Sequence, residues 1–206
     1  MEHNFITLGF NCVPALILKD MGLRKYSLPF DWNYTNKRMV IECIDDDFRK
    51  FHKNLKLVLN NHWLEDEYGI QYPHDYPVNE DGSIVDNWET LHNDVLLKYQ
   101  RRINRFKDIM NNNAPIIALY HGYVSLAKVI KAYLANKYNK QNIIFIVCTY
   151  EKRYQNNDKN LIILTVDTVE QARNKNYWEN SIRFAIKQAQ TNIAPSPLPK
   201  MNMKFF

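Results

Sequence analysis

The chain has 206 residues, a formal net charge of +5 and 46% hydrophobic residues, which is typical of one soluble globular domain. Its acidic and basic residues are interspersed, so the positive charge gives no specific nucleic-acid signal. No apolar stretch approaches the roughly 20 residues that cross a bilayer, and we expect no membrane association.

The three cysteines and the absence of several motifs further restrict the class of protein, its cellular compartment and its cofactors. Cys12, Cys43 and Cys148 are an odd number without CxxC spacing, which excludes a recognisable zinc site and favours a reducing compartment. Met1–Asn4 lacks the positive flank and apolar run of a signal peptide, so a cytoplasmic location is expected. No glycine-rich nucleotide loop or HExxH motif is present, and we therefore predict neither a cofactor nor a metal. The oligomeric state stays open.

The first segment is the strongest candidate for chemistry. Phe5–Leu8 is a short apolar run that predicts a buried strand, and Gly9 permits a sharp turn after it. Val13–Met21 then predicts a helix with Pro14 in its first turn. Cys12 would lie at the N-terminus of that helix, where unpaired N–H groups favour the thiolate. The alternative is that Cys12 is simply packed, as free cysteines often are.

A proline and two large aromatic residues frame an acid further on. Pro29 excludes a helix here, and Phe30 and Trp32 flank Asp31. A carboxylate between two aromatic residues is expected to be half-buried and to need a donor. Asp31 either caps an amide in a pinned loop or takes part in a site.

The middle of the chain combines helical and extended patterns. Thr35 is a candidate N-cap for a helix that buries Cys43, and the spacing of Phe48, Phe51, Leu55 and Leu59 predicts a second short helix. Residues 60–85 contain glycines and prolines that predict extended segments and turns.

The same region supplies a candidate base. His74 lies among aromatic residues and could accept the proton of Cys12. Because adjacent strand residues face opposite ways, Asp75 can orient His74 only if the backbone turns there; otherwise the acid comes from elsewhere, such as Asp31.

A long amphipathic helix follows. Apolar residues from Trp88 to Met110 step by three or four along one stripe. Arg101, Arg102 and Arg105 lie off or beside the stripe and predict a solvated face, from which one arginine could reach an anionic substrate.

The last third predicts the sheet. Apolar runs at Ile116–Tyr120, Ile143–Val147 and Leu161–Val166 are typical of strands covered on both faces, with helices over 125–138 and 177–189. We therefore predict an α/β fold: a mostly parallel sheet flanked by helices, with a helical and loop insertion between the first and second strands. It would form one domain over residues 1–193, followed by a proline-rich tail over 194–206. Because ligands gather at the carboxyl ends of such strands, His121 rivals His74 as the base.

A series of short sequence blocks lies along roughly the first 120 residues. In chain order they are Leu8–Cys12, Leu23–Arg24, Ser27–Trp32, Tyr68–Gly69, His74–Asp75, Arg101–Phe106 and the predicted strand Ile116–Tyr120. The first three are a leucine-glycine-x-asparagine-cysteine start, a leucine-arginine step and a serine-x-proline-phenylalanine-aspartate-tryptophan block. These three, and more loosely the later ones, resemble the DUF1796 family, a family of unknown function described as papain-like cysteine peptidases and found in bacteria and large DNA viruses.

The resemblance implies Cys12 as nucleophile and His74 as base, with Asp75 or Asp31 as the orienting acid. It also implies a papain-like α+β fold as the alternative to an open parallel sheet.

Three functions are compatible with these patterns. The first is a cysteine hydrolase of a peptide or small acyl substrate, with Asn11 or the Cys12 amide stabilising the oxyanion. The second is an esterase-like hydrolase or transferase on acyl or sugar groups, and the third is a non-catalytic binding module. For the first, we assign Ser27, Trp32 and Arg105 to substrate binding.

Overall fold

A computed structural model describes residues 3–191 and contains two sheets. The tail predicted over 194–206 lies outside these residues. In chain order the elements are β1 (Asn4–Leu8), α1 (Val13–Asp20), α2 (Lys37–Asp45), β2 (Lys56–Val58), β3 (Trp63–Glu65), β4 (Gln71–Tyr72), a 3₁₀ helix (Trp88–Leu91), α3 (His92–Asn111), β5 (Ile116–His121), α4 (Val124–Lys137), β6 (Ile143–Thr149), β7 (Leu161–Thr165), α5 (Val169–Arg173) and α6 (Lys175–Thr191).

The main sheet is the predicted parallel one. Its strand order is β1-β5-β6-β7, and all three pairings are parallel. Every residue of β5 and β6 is buried, which explains their continuous apolar sequences. Because Leu8 pairs with Tyr120 and His121 with Cys148, the segments after β1, β5 and β6 emerge at one edge. The α/β prediction is confirmed, and the main sheet is not the α+β alternative.

Helices cover the two faces of this sheet. On one face, α1 and α6 contribute Val13, Ile17, Trp178 and Ile182 to an apolar cluster with alternate residues of β5 and β6. The other face packs against α4 and against the insertion between β1 and β5, which contributes α2, α3 and the segment between them. The predicted helices over 13–21, 125–138 and 177–189 correspond to α1, α4 and α6 within a few residues. The long stripe from Trp88 is divided, since α3 begins only at His92.

The insertion departs from the sequence prediction. The short helix predicted from Phe48 to Leu59 is wrong: the segment is a run of turns ending in β2, and its backbone is left-handed at Phe48, His52 and Leu59. Phe48 and Phe51 nevertheless pack on Phe30 in an aromatic cluster. The helix-like spacing of these two residues therefore arises because both side chains are buried, although the segment is not a helix. The second sheet, β2-β3-β4, is antiparallel and has strands of two or three residues.

His52 is a buried imidazole at the centre of the insertion. It is fully buried and lies against the rings of Tyr72 and Tyr99, at centroid distances of 3.7 and 4.3 Å. Neither ring nitrogen has a hydrogen-bond partner among the described residues. Burial, assisted by the positive charges of His92, Lys98 and Arg102, lowers the pKa of His52 to about 2.

We expect acid to destabilise the fold through His52. The unfolded chain binds a proton on this histidine below about pH 6.5, whereas the folded chain excludes it down to about pH 2. The stability due to the neutral ring is therefore complete above about pH 6.5, and falls by up to about 1.4 kcal/mol per pH unit as the pH decreases. In the His52→Asn variant, the free energy of unfolding in urea should decrease less steeply with falling pH, by that amount, because the titrating imidazole is gone. Asparagine is the chosen replacement because it tolerates the left-handed backbone. The wild-type protein in the same buffers is the reference, and equal slopes in the two proteins would contradict the prediction.

Candidate active site

Cys12 lies in the turn that joins β1 to α1. Gly9 has a φ of +65°, and a Cβ there would lie 3.0 Å from the Tyr120 ring, so the turn requires glycine. The Asn11 Oδ1 atom accepts a hydrogen bond of 3.1 Å from the Val13 amide and caps the helix. Cys12 is thereby held at the N-terminus of α1 with its residue half-buried.

The segment Ser27–Trp32 is organised by Arg24 and by the end of β1. Asp31 is 2% exposed; its carboxylate accepts hydrogen bonds from the Thr7 hydroxyl and the Leu28 amide and forms a 3.4 Å ion pair with Arg24. Burial raises the pKa of Asp31 despite these partners. Arg24 also binds the Ser27 hydroxyl, and its guanidinium lies 4.8 Å from the centre of the Trp32 ring.

Two of the candidate site residues are turned away from Cys12 by these contacts. Neither Ser27 nor Asp31 lines the cleft beside Cys12, because both are turned towards Arg24. Of the two interpretations of Asp31, these contacts agree with the first, in which it caps a backbone amide in a loop, and they give no contact between Asp31 and His74. Trp32, which also contacts Arg24, does line the cleft.

The cleft beside Cys12 is open and has a volume of about 530 Å³. It brings together Cys12 from the β1–α1 turn and His74 from the turn after β4, two of the residues predicted from the sequence. The remaining lining residues come from α1, the Trp32 loop, the turn after β4, α3 and α5: Leu16, Trp32, Asp75, Lys98, Arg102 and Arg173.

Asp75 is directed at α3 rather than at His74. Its Oδ1 atom accepts a 2.6 Å hydrogen bond from Lys98 Nζ, and its Oδ2 atom lies 2.6 Å from the Tyr99 hydroxyl. The carboxylate is only 3% exposed. Both oxygens therefore have partners, and the role of Asp75 that this geometry supports is to hold the turn that carries His74, which is itself exposed.

His121 lies in a second cleft at the same edge of the sheet. This cleft has a volume of about 500 Å³ and includes Phe10, Tyr123 and Tyr150. The Nδ1 atom of His121 lies 3.2 Å from Asn11 Oδ1, the atom that also caps α1. Burial lowers the pKa of His121. The structure thus connects His121 to the turn before Cys12 but places it outside the Cys12 cleft. Both of these Asn11 contacts are made by its Oδ1 atom, whereas a hydrogen bond to an oxyanion would have to come from its Nδ2 group.

The sequence analysis assigned Arg105 to substrate binding, but the arginine of α3 that lines the cleft is a different one. Arg105 is outside the cleft, 5.3 Å from the centre of the Tyr26 ring. Arg102 lines the cleft instead and is 9% exposed. The signal available in the sequence was its position on α3, three residues after Tyr99 and four before Phe106, which places it on the buried stripe.

The other two cysteines are buried apolar residues. Cys43 packs on the core side of α2, and Cys148 lies in β6; neither is accessible. Burial raises the pKa of both thiols, to about 12 for Cys148 and further for Cys43. Among the three cysteines, therefore, only Cys12 borders a cleft.

Residues 3–191 contain neither a cluster of metal ligands nor a membrane-spanning helix. No three histidine, cysteine, aspartate or glutamate side chains in this range are grouped so as to hold a metal ion. None of the helices formed by these residues is both long and apolar enough to cross a membrane.

Comparison with known proteins places the chain in a family. Residues 3–188 match the family described as "Putative papain-like cysteine peptidase (DUF1796)". A relative in Acanthamoeba polyphaga mimivirus, "Uncharacterized protein R408", is 26% identical over 175 residues, which is 71% of this chain and 77% of the viral protein. No solved structure matches significantly. Since the match covers nearly all the described residues, the chain belongs to the DUF1796 family.

Proposed function

We propose that the chain is a cysteine hydrolase that cleaves an amide or ester, with Cys12 as the nucleophile and His74 as the general base. The observation that carries the proposal is that an accessible cysteine at a helix N-terminus and an exposed histidine from a distant turn line the same cleft. The family's description as cysteine peptidases agrees with it.

The first half of the reaction forms a thioester. His74 accepts the thiol proton as the Cys12 sulfur adds to the substrate carbonyl, and the tetrahedral intermediate carries a negative oxygen. The Cys12 amide donates no hydrogen bond within the described part of the chain, so it is available to stabilise that oxygen. The carbon–nitrogen or carbon–oxygen bond then breaks, and His74 returns the proton to the leaving amine or alcohol.

The second half regenerates the enzyme. A water molecule adds to the thioester carbon while His74 removes its proton, and the Cys12 sulfur leaves as the carboxylic acid forms. His74 then returns the proton to the sulfur. Asp75 contributes by holding the His74 turn through Lys98 and Tyr99, which makes it a positioning residue.

Selective alkylation tests whether Cys12 is an activated thiol. At about pH 6, we expect iodoacetamide to label Cys12 at least roughly tenfold faster than an unactivated thiol in a denatured control. Cys43 and Cys148 should stay unlabelled in the folded protein because they are buried and their pKa values are raised. Peptide mass spectrometry measures each site, and the His74→Asn variant should slow labelling of Cys12. Labelling of Cys12 no faster than in the denatured control would contradict the proposal.

A further inference from the structure

The cleft beside Cys12 carries positive charge that the protein itself does not neutralise. Lys98 is paired with the Asp75 carboxylate at 2.6 Å. Arg102 and Arg173 also line the cleft, and neither has a carboxylate within 4 Å among the described residues. The charge of Arg102 favours the ionised form of Asp31, but the ion pair of Asp31 is with Arg24.

Arg102 is the less expected of the two arginines. It is 9% exposed, and its guanidinium carbon lies 4.6 Å from the centre of the Tyr99 ring. Its Nη1 atom is shielded from water and donates no hydrogen bond to any residue of the described chain. Burying a guanidinium without a carboxylate partner is costly, because the lost hydration is not replaced. Arginines in this state commonly face the site of an anionic ligand, for which their planar fork is suited.

The geometry of the cleft restricts what that ligand can be. Arg102 comes from α3, Arg173 from the end of α5 and Cys12 from the start of α1, so the two arginines approach the same space as the nucleophile. Arg102 lies over the Tyr99 ring and is almost fully buried, whereas Arg173 is exposed. A substrate lying in this cleft would meet one buried guanidinium and one exposed guanidinium.

From this we infer that the substrate is an acyl compound with a carboxylate near the scissile bond, bound by Arg102 and assisted by Arg173. The part of this inference that concerns the scissile bond rests on the proposed hydrolase function. The anion site formed by Arg102 and Arg173 does not depend on it. It names the substrate class of the Cys12 cleft: amides or esters of dicarboxylic acids, including peptides with an acidic residue at the cleaved position.

Binding of small acids tests the site without requiring catalysis. Isothermal titration should show that glutarate binds and that its neutral analogue glutaramide binds at least about tenfold more weakly. The Arg102→Gln variant should lose at least about tenfold in glutarate affinity, and Arg173→Gln about threefold. Arg101→Gln, which changes an exposed arginine on the outer side of α3, is the matched control and should bind as the wild type does.

Further arms separate the alternatives. Arg102→Lys keeps the charge and should recover part of the affinity, which guards against an unfolded Arg102→Gln protein; Arg173→Gln, at an exposed position, is a second independent probe. Inorganic phosphate binding more tightly than glutarate would overturn the carboxylate assignment. Equal affinity for glutarate and glutaramide would overturn the inference even if Cys12 is alkylated rapidly. Arginine-dependent glutarate binding alongside an inert Cys12 would support the anion site and refute the hydrolase.

Discussion

Replacing Cys12 by serine is expected to lower ester hydrolysis by at least about a thousandfold, because a hydroxyl in this position lacks the acidity of a thiol and His74 is adapted to the latter. The assay uses p-nitrophenyl acetate and mono-p-nitrophenyl glutarate, a neutral and an anionic ester. Cys148→Ala, which truncates a buried thiol in β6, should retain activity within a few fold once its folding is verified. A Cys12→Ser protein that keeps more than about a tenth of the activity would exclude covalent catalysis by this residue.

The same assay decides between the two candidate bases. His74→Asn should cost at least about a hundredfold, since general base catalysis contributes roughly that much or more. His121→Asn should cost less than about tenfold, because His121 contacts Asn11 from the neighbouring cleft and acts on the turn only indirectly. The reverse order of effects would assign the base to His121. Asp75→Asn should give an intermediate loss, as it frees Lys98 and loosens the His74 turn.

The parts of the fold that could be predicted are those in which one local pattern determines one structure. Strands β5 and β6 are continuous apolar runs because they are buried on both faces, and α3 and α6 show a stripe because one face of each is buried. The insertion could not be predicted in this way. Its strands have two or three residues, too few for any alternation, and Phe48, His52 and Leu59 are left-handed although these residue types give no turn signal; the next left-handed glycines come only further on, at Gly69 and Gly82.

The same distinction applies to the residues of the candidate site: those with local sequence signals could be predicted, and those whose surroundings depend on distant segments could not. Cys12 could be predicted because strand, glycine and helix signals surround it within a few residues, and His74 because it is a titratable side chain in an aromatic segment. The sequence left two interpretations of Asp31 open because its partners Thr7 and Arg24 are distant in the sequence, and a carboxylate with such partners resembles one without partners in the sequence alone. Arg102 was missed because charge suggests exposure, while its helical position places it on the buried face of α3.

Asp66 is expected to be the most important single residue for the stability of the insertion. It is 3% exposed, and its carboxylate accepts four hydrogen bonds: Oδ1 from the amides of Tyr68 and Ile70, at 2.9 and 3.0 Å, and Oδ2 from the His52 amide at 3.2 Å and the Tyr72 hydroxyl at 2.5 Å. Burial raises the pKa of Asp66 to about 6, so the group is mainly ionised at neutral pH. One side chain thus fixes the turn before β4 and the left-handed His52 backbone.

Asp66→Asn should therefore destabilise the protein by about 2–4 kcal/mol, measured by urea unfolding at about pH 7. An amide keeps one acceptor oxygen, so its nitrogen must face either two backbone N–H groups or the His52 amide and the Tyr72 hydroxyl. The hydroxyl can rotate to accept, but a backbone N–H cannot, and at least one buried donor loses its partner. Tyr72→Phe, which removes only one bond to the carboxylate, should cost about 1 kcal/mol.

Glu67→Gln is the matched control for this substitution. Glu67 is the exposed neighbour of Asp66, and its one side-chain contact among the described residues is with Asn54, so the change should stay within about 0.5 kcal/mol. If Asp66→Asn were equally mild, the four hydrogen bonds would contribute little, and the turns would have to be held by the aromatic packing of Phe51 and Tyr72 alone. If instead it lowers stability as expected and also slows alkylation of Cys12, the insertion holds His74 in place, since the turn bearing His74 follows directly from β4.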